Sequence, residues 1–245
     1  MRTLKGKRYW LVGASEGLGR ALAERMSRAG IDLVLSARSA ERLDELAAAL
    51  PGKAEVVPVD IADTASARAA ADKVGAVDGL VFLASVYWPQ PAQDWDPDQV
   101  EAMLDVNLTG AARILGAVVP GMVERGAGHV VITGSLAGFR GLPGAIGYGA
   151  SKAGLMSLAE SMALDLQGTG VDVQLVNPGF IRTRQTEKND FNMPSIMEPD
   201  QAARVIVDHM RTTRFRLSFP FAFSLVFRLG RFLPDRLWFR IWARK

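Results

Sequence analysis

The chain has 245 residues, 49% hydrophobic and 22% charged, enough for one domain with a sizeable core and no need of disulfide or metal staples. It has no cysteine and only two histidines, His129 and His209, which excludes disulfides, thiolate zinc sites and cysteine nucleophiles and gives no basis for a metal site. The net charge of +3 is unevenly divided: residues 1–210 hold 20 basic and 25 acidic residues, net −5, whereas residues 211–245 hold nine basic residues and only Asp235, net +8, with nine of the 19 aromatics.

In chain order, 8–12 reads as a buried strand ending at Gly13, and 17–29 as a helix with Leu18, Leu22 and Met26 four apart. Residues 32–36 form the next strand, and 41–50 a helix closed by Pro51-Gly52. Strand 54–59, helix 64–74 and strand 79–84 follow. Residues 97–125 read as one or two helices, 129–133 as a strand, 148–167 as a helix, and 171–176 as a strand. Helix 199–211 starts with Pro at an allowed first-turn position, and 215–219 reads as a last strand. Alternation of this kind predicts an α/β fold, a doubly wound, Rossmann-like parallel sheet with helices on both faces. The apolar runs do not alternate with polar residues, as befits strands buried on both sides.

The chain divides into a body, 1–219, and a basic, aromatic tail, 220–245, broken at Pro234. The N-terminus has no apolar signal core followed by a small-residue cleavage site. The longest charge-free run of the tail, 217–227, is 11 residues, whereas a span needs roughly 20. A cytoplasmic protein is therefore expected.

Gly13, Gly17 and Gly19 lie between the first strand and first helix, in a G-x-x-x-G-x-G arrangement. Glycines there allow a tight turn, and the helix N-terminus offers N–H donors to a pyrophosphate. The second strand ends in Ala37-Arg38 rather than in a carboxylate. An arginine suits a 2′-phosphate, so NADP(H) is favoured over NAD(H). Asp60, ending the third strand, caps a turn or contacts the adenine. Tyr148 and Lys152 are four apart, so a phenol and an ammonium share a helix face. A nearby cation favours phenolate, so the pair suits acid/base chemistry. Ser135 ends the fifth strand, where its hydroxyl can polarise a carbonyl oxygen. Asn107 is a poor helix former in a helical region, placed either to bend the helix or to hold a water.

This ordered set, Gly13/Gly17/Gly19, Asp60, Asn107, Ser135, Tyr148, Lys152 and Pro178-Gly179, resembles the short-chain dehydrogenase/reductase family in its single-domain subtype, over about residues 7–219. The resemblance implies that Tyr148 exchanges a proton with the substrate oxygen and that Ser135 positions that oxygen. It implies that Lys152 lowers the Tyr148 pKa and binds the nicotinamide ribose, and that Asn107 holds a relay water. Ile181 and Thr183 would meet the carboxamide, with Ser15, Leu18, Ile61, Ala84, Pro178 and Gly179 also along the cofactor. No metal is implied. The family also implies a small-molecule carbonyl or alcohol substrate and a homodimer or homotetramer. Two departures stand out: Val12 replaces the family's usual Thr, and Phe82-Leu83-Ala84-Ser85 replaces Asn-Asn-Ala-Gly.

The expected function is oxidation–reduction between a ketone and a secondary alcohol on an apolar or lipid-like substrate. Phe191, Met193, Ile196 and Met197 would form an apolar lid, and Tyr87 and Trp88 an aromatic wall. A cofactor-binding regulator or scaffold whose tail recruits a membrane or partner is the alternative. In the tail, Arg236, Arg240 and Arg244 recur every four residues, with Trp238, Phe239, Ile241 and Trp242 on the remaining faces. That pattern fits an interfacial membrane helix or a helix docked on protein. Nucleic-acid binding is not expected, because the body is acidic.

Overall fold

The computed structural model describes residues 1–242. Arg244 lies outside the described residues. Seven parallel strands form one sheet: β1 (Arg8–Val12), β2 (Asp32–Ser36), β3 (Ala54–Val56), β4 (Gly79–Phe82), β5 (Gly128–Thr133), β6 (Val171–Pro178) and β7 (Arg216–Phe219), in the order β3-β2-β1-β4-β5-β6-β7. The helices are α1 (Gly17–Arg28), α2 (Ala40–Ala49), α3 (Thr64–Val74), α4 (Pro97–Leu104), α5 (Gly110–Glu124), α6 (Ile146–Asp165), α7 (Pro199–Met210), α8 (Phe221–Gly230) and α9 (Asp235–Trp242).

Alternate residues of each strand enter opposite cores. Trp10, Val12, Leu80 and Phe82 pack under α3, α5 and α6. Tyr9, Leu11, Leu33 and Leu35 pack under α1, α2 and α7. Both faces are therefore dry, which is why the strands read as continuous apolar runs.

Several boundaries differ from the sequence reading for local reasons. β3 ends at Val56, not at 59, because Pro58 has no N–H for the ladder. β4 stops at Phe82, where the N–H groups of Leu83 and Ala84 both turn onto the Val12 carbonyl oxygen. The helical stretch 97–125 is two α-helices joined by a π turn, Asp105–Thr109, which contains Asn107. Pro97–Glu124 is long and apolar enough to cross a membrane, but here Ile114, Leu115 and Met122 pack into the core against the sheet and Met103 packs against Gly147 of α6.

The tail folds back on the body. Phe227 and Trp238 are buried against Leu136, and the Trp238 indole N–H donates to the Gly141 carbonyl at 2.9 Å. Of the two readings of the tail, docking on protein describes its tryptophans: Trp238 is 2% exposed, and Trp242 packs beside it with ring centroids 5.5 Å apart. The tail rests on its own body through Phe227 and Trp238 and leaves its arginines outward.

Candidate active site

The strand order reverses between β1 and β4, so the loops at their carboxyl ends diverge and open a crevice. A groove of about 550 Å³ lies there. Its floor begins at the glycine turn, whose shape requires glycine. A Cβ on Gly19 would stand 1.9 Å from the Gly13 carbonyl oxygen, and one on Gly13, at φ +99°, 2.6 Å from the Ala84 nitrogen. Glu16 precedes α1 without using its side chain as a cap, which leaves the helix N-terminus facing the groove. This cradle fits a dinucleotide pyrophosphate.

The residues read from the sequence as cofactor contacts line this one groove: Gly13, Ser15, Gly17, Leu18, Gly19, Arg38, Asp60, Ile61, Ala84, Lys152, Pro178, Gly179, Ile181 and Thr183. Asp60 also serves its turn, accepting from the Ala62 N–H at 3.0 Å. The two departures leave the loop after β4 well held. The N–H groups of Leu83 and Ala84 both reach the Val12 carbonyl oxygen at 3.0 Å. The Gln185 amide adds a bond to the Ser85 carbonyl oxygen at 2.6 Å, tying this loop to the one after β6.

Tyr148 and Lys152 sit one turn apart on α6, as their spacing predicts, and both line the groove. The Lys152 ammonium is buried and donates to the Thr133 carbonyl oxygen at 3.0 Å. Burial pulls its pKa down to about 8. Burial pushes the Tyr148 phenol up, and hydrogen bonding to Ser135 offsets part of that. The ammonium lies 5.7 Å from the phenol ring centre and is committed to Thr133. Ser135 also caps the short 3₁₀ turn that follows it, accepting from the Ala137 N–H at 3.1 Å.

The Asn107 side chain joins two elements. Its side chain accepts from the Val86 N–H at 2.7 Å and donates to the Val86 carbonyl at 3.0 Å and to the Ser151 hydroxyl at 3.1 Å. Both amide hydrogens are engaged, so the side chain positions these groups. Ser151 passes the tie on, donating to the Tyr148 carbonyl oxygen at 2.8 Å. Asn107 thus fixes the loop after β4 and the start of α6 with one amide.

Tyr87 stands edge-on to Tyr148, with ring centroids 4.9 Å apart, and its hydroxyl donates to the Asn189 side-chain oxygen at 2.7 Å. The aromatic wall is therefore bonded to the segment before α7. Phe191 joins that segment to Phe180, whereas Met197 packs into the core instead of the expected lid. Sequence reasoning missed Glu16, which bridges Arg42 at 3.1 Å and Arg184 at 2.9 Å across the groove mouth. Its partners lie 26 and 168 residues away, and no spacing signal links them.

Known proteins agree with this geometry. The short chain dehydrogenase family profile matches residues 7–193. An oxidoreductase of Myxococcus xanthus is 38% identical over 93% of this chain and 92% of its own length. Sulfoacetaldehyde reductase 2 of Chromohalobacter salexigens is 39% identical over 72% of this chain and 73% of its own. A short-chain dehydrogenase of Streptomyces avermitilis superposes with a TM-score of 0.85 at 30% identity, covering 96% of each chain. One from Sphingobium yanoikuyae, solved in complex with NADPH, gives a TM-score of 0.82 at 28% identity over 91% of each chain. This chain belongs to the short-chain dehydrogenase family and is an NAD(P)-dependent oxidoreductase.

Proposed function

We propose that this enzyme interconverts a ketone and a secondary alcohol, prefers NADP(H) to NAD(H), and takes an apolar, lipid-like substrate. The observation that carries the reaction type is the convergence of Tyr148 and Lys152 on one groove, with Ser135 beside the phenol and an aromatic wall next to it. When bound, the nicotinamide supplies or accepts the hydride. Gly13, Gly17 and Gly19 admit the pyrophosphate, and Lys152 meets the nicotinamide ribose. Tyr148 gives its phenolic proton to the carbonyl oxygen during reduction and takes the alcohol proton during oxidation. Ser135 holds the same oxygen. A phenol raised by burial is protonated at neutral pH, which suits the acid role.

Arg38 supports the phosphate preference, because it lines the groove, is exposed and makes no ion pair among the described residues. Tyr87, Trp88 and Phe191 support the apolar substrate. The outward residues Ala112, Gly116 and Val123 of α5, with Ala150, Ala153 and Leu164 of α6, are small or apolar and uncharged. They support pairing of copies through these helices, as the family resemblance implies.

The test is NADPH oxidation against small ketones and long-chain keto lipids, with Tyr148→Phe as control. Loss of turnover of about a hundredfold or more, with NADPH binding kept, is expected. Full activity of Tyr148→Phe overturns the reading.

A further inference from the structure

The tail presents two unlike faces. The inner one is anchored by Phe227 and Trp238, and Arg140 ties it from the body by donating to the carbonyl oxygens of Gly230 and Leu233. The outer face is apolar and open: Leu229 is 62% exposed, Phe232 81%, Phe239 66% and Ile241 59%. Side chains of this size do not cluster in water without a partner to cover them. Arg228, Arg231, Arg236 and Arg240 are interleaved with them, all exposed and none paired with a carboxylate among the described residues. The tail's single carboxylate, Asp235, is engaged by Arg140.

The charge decides which partner fits. A second copy meeting this face across a twofold axis would set arginines against arginines with no free acid between them. A nucleic acid would take the arginines and leave the phenyl and butyl groups wet. The interface of an anionic bilayer takes both, with phosphates on the guanidiniums and acyl boundary around the apolar tips. α8 and α9 have 10 and eight residues, too short to span, so the tail lies flat. The body, residues 1–219, holds 23 basic and 25 acidic residues, so the attraction to such a surface comes from the tail.

We infer that the outer face of α8 and α9 is a docking surface for an anionic phospholipid bilayer. The tail's inner side packs on Leu136 and Phe180, the chain neighbours of Ser135 and Gly179.

The test is flotation of the full chain with vesicles of phosphatidylcholine alone and of phosphatidylcholine and phosphatidylglycerol in equal parts. Binding to the mixed vesicles, weakened by salt, and little binding to phosphatidylcholine alone are expected. The double variant Arg236→Gln/Arg240→Gln lowers partitioning by about thirtyfold, at about 1 kcal/mol per arginine. Phe232→Ser/Phe239→Ser also lowers it, and both variants keep the wild-type melting curve because the altered side chains are exposed. Equal binding to both vesicle types, no binding to either, or binding indifferent to both variants overturns the inference. So does a dimer in ultracentrifugation that Phe232→Ser/Phe239→Ser dissolves, which gives the face to a second copy. Flotation does not depend on turnover, so failure here and failure of the catalytic reading are separate results.

Discussion

The guanidinium of Arg140 lies 5.0 Å from the ring centre of Trp238, and its N–H groups hold the backbone of the α8–α9 turn. Arg140 follows the 3₁₀ turn that Ser135 caps, so one cation joins the loop after β5 to the tail. Trp238 is the keystone of a small satellite core. Trp238→Ala should cost about 3–5 kcal/mol of tail docking, the range for a buried large aromatic. Limited proteolysis reads it: cleavage within 231–236 should accelerate far more than cleavage in the body. Unchanged cleavage would mean the tail is held elsewhere.

Lys152 trades stability for function. Its folded pKa of about 8 lies below the ordinary 10.5, because burial disfavours the charged form. Between these values the unfolded chain holds the extra proton, so stability rises with pH across that window and the charging cost is full below about 8. Lys152→Met should raise stability at neutral pH by up to about 3 kcal/mol, with the gain fading toward pH 10.5. Turnover should be lost. Denaturant unfolding at pH 7 and pH 10 checks both signs.

His129 acts in the opposite pH range, far from the groove. Burial, with Arg2 nearby, pulls its pKa from 6.5 down to about 3. The Tyr9 hydroxyl lies 2.8 Å from its Nδ1, and the Gln174 amide oxygen 3.0 Å from its Nε2. The Arg2 guanidinium lies 3.1 Å from the same Nε2, and the ring is neutral at pH 7. Stability is complete above about 6.5 and falls as pH drops toward about 3, by up to about 1.4 kcal/mol per unit. His129→Gln should be less stable at pH 7 and show a flatter acid limb. An unchanged limb would place the acid sensitivity in other groups.

Arg38→Ala should weaken NADPH about ten- to a hundredfold, the worth of a charge-assisted bond, and leave NADH nearly unchanged. Equilibrium binding of both cofactors reads this directly. Equal effects on the two would remove the phosphate argument and turn attention to Arg42, which Glu16 holds nearby.

The sequence by itself determined the sheet and the groove. Strands buried on both sides must read as continuous apolar runs, and a turn that meets a carbonyl oxygen at the distance found for Gly19 must be glycine. Tyr148 and Lys152 were legible because helical spacing alone puts them on one face. Tertiary structure decided what depends on partners distant in the chain. Asn107 could be read as a bend or a water holder, and only its meeting with Val86 and Ser151 makes it a tie. Glu16 gave no signal, because its meaning lies in Arg42 and Arg184. The tail's composition fitted a membrane helix or a docked one equally well. Packing settled the inner face, because burying Trp238 on Leu136 and pairing its N–H with Gly141 satisfies both its apolar area and its donor, and so turns the arginines outward.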